Sequence, residues 1–357
     1  MRTWLQRVTS LKRYIHDLRQ SAAFRNSRLN FLERKMGRTR LLSKPIVLQI
    51  EFTNACNLSC ASCGHSYWAQ ELNRPRLLTL DLLEKTESLY ESCSEILIGG
   101  YGEPTLHPDL KSLFGWLRRD PHKKISMITH GLKIPEVLEY LKGLDKLIVS
   151  IDGVGKIYEQ NRRVSFQTLV DSLDHFLVHK DPATSLEVNM VWNRSTHSGL
   201  EEMVRFLEPY QVEALHLLPE KMYSSQRYEE SLFHPQYLHE LYLGLEKIQK
   251  KTRIQLDYPD FLASSISCHQ PFETLFVLSN GEVLGCCSAI FHGNDYRISL
   301  GNLSQMNHDF TTFWNQDTMV QFREAYYGNG EEYPKPCDTC AFRVIRHENL
   351  QRSLDSI

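Results

Sequence analysis

The chain has 357 residues, 41% of them hydrophobic, with 41 Lys and Arg against 43 Asp and Glu. That length suits one large domain and a smaller one with a sizeable core, and no run of about 18 apolar residues is present to cross a membrane. The charge is uneven: residues 1–44 hold twelve basic side chains against Asp17 and Glu33, a net of +10, and the remaining −12 excludes general nucleic-acid binding by the body of the chain.

Residues 1–44 are expected to form a basic helical extension, too short to fold alone. Trp4, Leu5, Val8, Leu11, Ile15 and Leu18 recur at helical spacing, with Arg7, Lys12, Arg13 and Arg19 between them. Such a helix packs on the main domain with its charges in water, or meets a membrane surface, an acidic partner or an anionic substrate. It lacks the continuous apolar stretch of a signal peptide. Nine cysteines, seven of them in tight groups or matched spacings, read as metal ligands in a reducing compartment, so a cytoplasmic location is expected.

From Pro45 short apolar strands alternate with amphipathic helices. Strands are expected over 46–52, 95–99, 125–129, 147–151, 186–191 and 214–218. Helices are expected over 80–92, 109–119, 135–144, 166–180 and 199–208. This alternation predicts a parallel α/β sheet with right-handed crossovers, and periodicity alone leaves a barrel and an open doubly wound sheet undecided. In both, the functional site lies at the C-terminal strand ends.

The first strand runs into Cys56, Cys60 and Cys63, spaced Cys-x3-Cys-x2-Cys. Three thiolates within eight residues wrap a small metal centre without completing it, because zinc sites and [4Fe-4S] clusters take four ligands. Held by three cysteines, an iron–sulfur cluster keeps one iron open. The competing reading is a zinc-bearing binding protein without catalysis, with His65 as the fourth ligand.

The cysteine loop resembles the signature of radical S-adenosylmethionine (SAM) enzymes. The resemblance implies a partial (β/α)6 TIM barrel over residues 45–221. It implies SAM chelated at the open iron, an electron donor of flavodoxin or ferredoxin type, and reductive cleavage to a 5′-deoxyadenosyl radical that takes hydrogen from an unactivated carbon. Gly102, Glu103 and Pro104, within Gly99-Gly100-Tyr101-Gly102-Glu103-Pro104, resemble the family's Gly-Glu-Pro turn, which receives the SAM amino group. Thr129-His130-Gly131 stands in the place of Thr-Asn-Gly, so Thr129 carries over and His130 does not. Ser150 is the first candidate for the SAM carboxylate or ribose and Asp152 the second, with a bend at Gly153 needed to bring both to one pocket. Arg162, in a Tyr-x-x-x-Arg stretch, is a candidate partner for the SAM carboxylate. Ser62 occupies a place where many members carry an aromatic residue beside the adenine. Asn189 and Asn193 are pocket or turn residues. His216 reads as a hydrogen-bonded core histidine and Cys93 as a small buried hydrophobe.

Residues 222–267 form a connector with one amphipathic helix around Leu238–Ile248. Beyond it come Cys268, an Asn280-Gly281 hairpin turn, Cys286, Cys287, a helix from about residue 308 to 326, and Cys337-x2-Cys340. This order resembles the SPASM/twitch extensions of radical SAM enzymes over residues 268–342, followed by a tail over 343–357. The resemblance implies a second, fully ligated [4Fe-4S] cluster on Cys268, Cys286, Cys337 and Cys340. A structural zinc site is the runner-up. Cys287 is a buried thiol, a substitute for Cys286, or a hydrogen donor to a substrate radical. The expected outcome is oxidation or epimerisation of a small sugar-like or cyclitol-type substrate, anionic if the basic N-terminus binds it. The alternative is maturation of a ribosomally made peptide, whose usual recognition domain is too large for the 44 residues ahead of the barrel.

Overall fold

The computed structural model describes residues 21–67, 74–220, 243–258, 268–286, 299–305 and 310–327, with the side chains of 311 and 312 excepted. Six central strands run β1 (Val47–Ile50), β2 (Glu95–Ile98), β3 (Lys124–Thr129), β4 (Lys146–Ser150), β5 (Ser185–Trp192) and β6 (Ala214–Pro219). Each pairs in parallel with the next, from Val47 opposite Glu95 to Trp192 opposite Pro219. The order never reverses. A doubly wound sheet needs a switch point where the order turns back, so the barrel reading holds and the open alternative falls.

Strand alternation sorts the side chains. Leu48, Ile98, Met127, Val149, Val188 and Leu215 join one core with helix residues such as Leu113, Leu141, Leu173 and Met203. Each of these leucines is essentially inaccessible, which is worth about 1.5–3 kcal/mol per side chain. The opposite parity carries Gln49, Glu51, Ser126, Ser150, Glu187, Asn189 and His216. The sheet therefore has an oily helix-covered face and a polar face, and the second is the barrel interior.

Helices are placed by spacing and caps. Leu169, Leu173 and Phe176 bury one face of the helix Phe166–His179. The helix expected over 80–92 is split into Leu80–Glu84 and Glu87–Ser92. Thr86 sits at the break, fully buried, and its hydroxyl donates to the Leu83 carbonyl at 2.7 Å, a local bond that competes with the helical ladder.

Two further strands extend the sheet. β7 (Gln255–Asp257), absent from the sequence reading, adds in parallel beyond β6, and β8 (Thr274–Val277), the first arm of the expected hairpin, adds in parallel beside β1. β8 turns through Asn280-Gly281 into β9 (Glu282–Leu284), and β10 (Ser299–Asn302) pairs antiparallel with β9. Gly281 has φ +80, the left-handed region that the Asn-Gly signal requires. The hairpin is thus continuous with the barrel sheet. The connector is helical over 243–249, while 221–242 lies outside the described residues.

Candidate active site

The cysteine loop leaves β1 in a braced frame. Leu78 donates its N–H to the Phe52 carbonyl at 2.8 Å, and Thr53 bridges Leu77. Asn54 Oδ1 accepts from the Arg76 N–H at 2.7 Å, and its Nδ2 donates to the Arg74 carbonyl. Beyond the brace, the Cys63 N–H donates to the Cys60 carbonyl at 3.3 Å, turning the chain into the short helix Gly64–Tyr67. The Leu58 N–H points at Cys56 Sγ, 3.5 Å away.

Burial pushes the Cys56 thiol up to about 12, and it raises Cys60 and Cys63 as well. Three such groups become thiolates near neutral pH only when cations neutralise them. No three Cys, His, Asp or Glu side chains among the described residues lie close enough together to hold a single metal ion. His65, the proposed fourth zinc ligand, turns its Nε2 to the Asn54 carbonyl at 2.9 Å. A cubane distributes its ligands over separate irons, so this loop fits an iron–sulfur cluster better than zinc.

The turn after β2 packs directly on this loop. A Cβ at Gly102 would meet the carbonyl oxygens of Thr53 and Ala55 at 2.4 Å, so only glycine allows the two backbones to approach. The Glu103 N–H donates to the Ala55 carbonyl at 2.8 Å. Glu103 is 3% exposed and its carboxylate is already occupied. One oxygen accepts from Thr105 Oγ1 at 2.6 Å and Thr129 Oγ1 at 2.7 Å, the other from the His130 N–H at 2.8 Å. Glu103 is therefore a strut between the β2 and β3 loops. Pro104 starts the 3-10 turn that follows.

Sequence reasoning passed over His130, which proves to be a linchpin. Its Nδ1 accepts from the Leu132 N–H at 3.0 Å and its Nε2 faces Asn57 Oδ1 at 2.8 Å. These contacts define the neutral tautomer with the proton on Nε2, and burial, which lowers its pKa, favours the neutral form. Asn57 lies between Cys56 and Cys60, so His130 ties the cysteine loop to the end of β3. Only the Cys-Asn pair, read with the His that replaces the family's Asn, could have hinted at this.

Ser150 and Asp152 are two residues apart, so alternation puts them on one face, and no bend at Gly153 is needed. Ser150 ends β4 opposite Asn189. Asp152 is 2% exposed. It accepts from the Val191 N–H at 2.7 Å and pairs with Arg162 Nε at 2.6 Å. Arg162 Nη1 also reaches Cys60 Sγ at 3.8 Å. Burial opposes the Arg162 charge, but Asp152 and Cys60 outweigh it and hold the guanidinium protonated. The same helix, Lys156–Arg162, presents the Asn161 carbonyl to the Ala61 N–H at 2.8 Å. Arg162 and Asp152 thus form a buried ion pair against the middle cysteine.

The barrel interior holds two further groups. Glu51, 2% exposed, accepts from the Tyr101 N–H at 2.7 Å and from Ser279 Oγ at 2.6 Å. It links the β2 turn to the hairpin turn, and Tyr101 packs on the hairpin's Phe276, Leu278 and Leu284. His216 is hydrogen-bonded, as the sequence reading expects, but to two carboxylates. Its Nδ1 meets Asp257 at 2.9 Å and its Nε2 meets Glu187 at 2.8 Å, while Lys146 pairs with Glu187 at 2.7 Å. Hydrogen bonds to Asp257 and Glu187 raise the His216 pKa to about 9 from 6.5. The stability from this network is complete below pH 6.5 and is lost as pH rises through about 9. On the acid side, Asp257 and Glu187, both lowered, lose it as pH falls through their own values. We expect the stability gap between the native chain and His216→Gln to shrink by about 1–2 kcal/mol between pH 7 and pH 10, discounted for the exposure of Asp257. Denaturant midpoints of both proteins at the two pH values check this; a constant gap would refute a charged imidazole.

Asn193 is the N-cap of the helix Arg194–Ser198 in a capping box, and its Nδ2 donates to Glu220 Oε2 at 2.8 Å. Cys93 is fully buried at the start of β2, away from the site, as its sequence position suggests. Cys268 is exposed ahead of the helix Gln270–Glu273, and Cys286 follows β9. Cys287, Cys337, Cys340 and residues 4–18, where a helix is expected, lie outside the described residues.

Residues 50–207 match the radical SAM superfamily, and residues 268–341 match the SPASM iron-sulfur cluster-binding domain. The chain carries a radical SAM domain followed by a SPASM domain. Its cofactors are accordingly SAM and [4Fe-4S] clusters. A probable GTP 3′,8-cyclase from Sulfurisphaera tokodaii is 30% identical over 182 residues, 48% of this chain and 55% of that protein. The chain therefore spans about half the length of such relatives. The tungsten-containing aldehyde ferredoxin oxidoreductase cofactor-modifying protein of Pyrococcus furiosus is 24% identical and covers more, 83% of this chain and 87% of its own. The mycofactocin maturase MftC of Mycobacterium tuberculosis is 29% identical over 48% of this chain and 44% of that one. Among solved structures, Streptococcus suis SuiB bound to its precursor peptide SuiA has a TM-score of 0.60 at 16% identity, covering 90% of this chain and 75% of SuiB. At that identity the likeness shows the fold, a radical SAM barrel with a SPASM extension.

Proposed function

We propose that this enzyme abstracts hydrogen from an unactivated C–H bond of a small polar substrate held in the barrel interior, and oxidises or epimerises it with one auxiliary cluster. The cofactors, when bound, supply a 5′-deoxyadenosyl radical from SAM by one-electron reduction, with a small flavodoxin- or ferredoxin-type protein as donor. Cys56, Cys60 and Cys63 hold the first cluster. The backbone of Gly102 to Pro104 takes the SAM amino group, with Glu103 and Thr129 fixing that turn. Ser150 and the Arg162–Asp152 pair face the SAM carboxylate and ribose. Cys268 and Cys286, with Cys337 and Cys340, hold the second cluster, and Cys287 is a candidate hydrogen donor.

The observation that carries the substrate reading is the level formed by Ser150, Asn189, His216 and Asp257, which adjoin one another in register across β4 to β7. Four polar groups in a row on the inner face suit a hydroxyl-rich molecule rather than an apolar one. A second reading, maturation of a ribosomally made peptide, is favoured by the likeness to MftC and by the peptide bound to SuiB.

Anaerobic incubation with SAM and dithionite is expected to give 5′-deoxyadenosine, detected by mass spectrometry. Deuterated cyclitols, sugars and candidate peptides then separate the two readings by which label appears in the nucleoside. A reduced, iron-loaded protein that leaves SAM intact would sink both.

A further inference from the structure

The helix Ala22–Lys35 is inside out. Its buried side is polar: Asn26 bonds to the carbonyls of Lys44 and Ser92, Asn30 to the Phe272 carbonyl at 2.6 Å, and Glu33 to the N–H groups of Leu42 and Ser43. These residues recur at helical spacing and dock the helix by hydrogen bonds rather than by oil. The outward side carries the apolar residues. Phe31 and Leu32 are each 51% exposed and Met36 at the C-cap is 63% exposed, with Arg25, Arg28 and Lys35 exposed among them. Lys35 Nζ lies 5.7 Å from the Phe31 ring centroid, so charge and apolar surface are interleaved rather than on separate faces. An exposed apolar group of this kind on a helix whose docking does not need it marks a contact surface.

We propose that this face binds an anionic lipid surface. The helix carries one acid, Glu33, and that is turned inward and fully buried. Residues 1–20 carry a net of +4, so they share the sign of this face and do not complement it. A second copy would likewise set like charge against like. The occupant is anionic. A bilayer surface meets both features at once: Phe31, Leu32 and Met36 enter the acyl boundary while the arginine and lysine tips reach phosphates from flexible stems. The face is a convex helix surface, so an acidic soluble protein would have to bring a matching apolar groove of its own. The helix precedes β1 and contacts the chain just before β2 and β8, so it lies at the N-terminal strand ends, away from the cysteine loop. Membrane contact leaves the active-site mouth free. This inference does not rest on the substrate reading above.

The test is cosedimentation of the full chain with vesicles of phosphatidylcholine alone and of phosphatidylcholine mixed with phosphatidylglycerol. Binding is expected to the anionic vesicles only, and to be released by salt. Arg28→Gln with Lys35→Gln should weaken it on the order of fivefold per charge. Phe31→Ser with Leu32→Ser and Met36→Ser should abolish it while iron content and 5′-deoxyadenosine formation stay at the native level. No binding to anionic vesicles, equal binding to neutral ones, or native binding by the patch variants would overturn the proposal. The last outcome would assign the contact to residues 1–20, and capture of an acidic protein without vesicle binding would also count against it.

Discussion

Replacing Cys60 with alanine is expected to remove about four irons from a chain that carries roughly eight when both clusters are cubanes, and to abolish 5′-deoxyadenosine formation. Cys60 is the middle cysteine of the loop, it is buried, and it is the sulfur that Arg162 faces. With two cysteines left, His65 is not placed to replace it, because its Nε2 is turned to a backbone carbonyl. The second cluster is proposed to sit on other cysteines, so absorbance from about four irons should persist. Cys93→Ala is the control: it removes a buried thiol from the far end of the sheet and should cost stability but no iron. Iron and sulfide assays with SAM turnover check all three proteins. An unchanged iron count in Cys60→Ala would show that the loop is not a cluster site.

Arg162→Met is expected to destabilise the fold by about 3–5 kcal/mol, because it strands the Asp152 carboxylate in a buried site. Asp152 would keep the Val191 N–H, which is not enough to offset a lost cation. Adding Asp152→Asn should recover much of that loss, since the stranded charge goes with it. Denaturant titrations of the two single variants and the double variant measure this directly. If the double variant loses the sum of the two single losses, the pair is not coupled and the arginine acts by packing alone. SAM affinity should fall in both, which separates the binding role from the stabilising one.

The cysteine loop, the glycine turn and the repeating strands were legible because each is a local pattern. Cys-x3-Cys-x2-Cys states its chemistry through spacing, and Gly102 states a close approach through the absence of a side chain. Glu103 shows where such reading stops. Its place in a Gly-Glu-Pro turn names it as a ligand contact, yet its oxygens are taken up by Thr129 and His130, one strand away. His216 shows the converse. Alone in a strand it looks like core, and only the register of β5, β6 and β7 sets two carboxylates on its ring.

The amino-acid order by itself determined the alternating strands and helices of a parallel sheet and a loop of three closely spaced thiols, since apolar period and thiol spacing act over a few residues, while the strand order that makes the sheet a barrel came from the tertiary structure. It did not determine what each polar side chain faces. Glu51 meets Ser279 across 228 positions of sequence, and Asn30 meets Phe272 across 242. Such pairings follow from which strand lies beside which. Hydrogen bonds and ion pairs decay within a few ångströms, so they are settled by the folded neighbours and not by the neighbours along the chain.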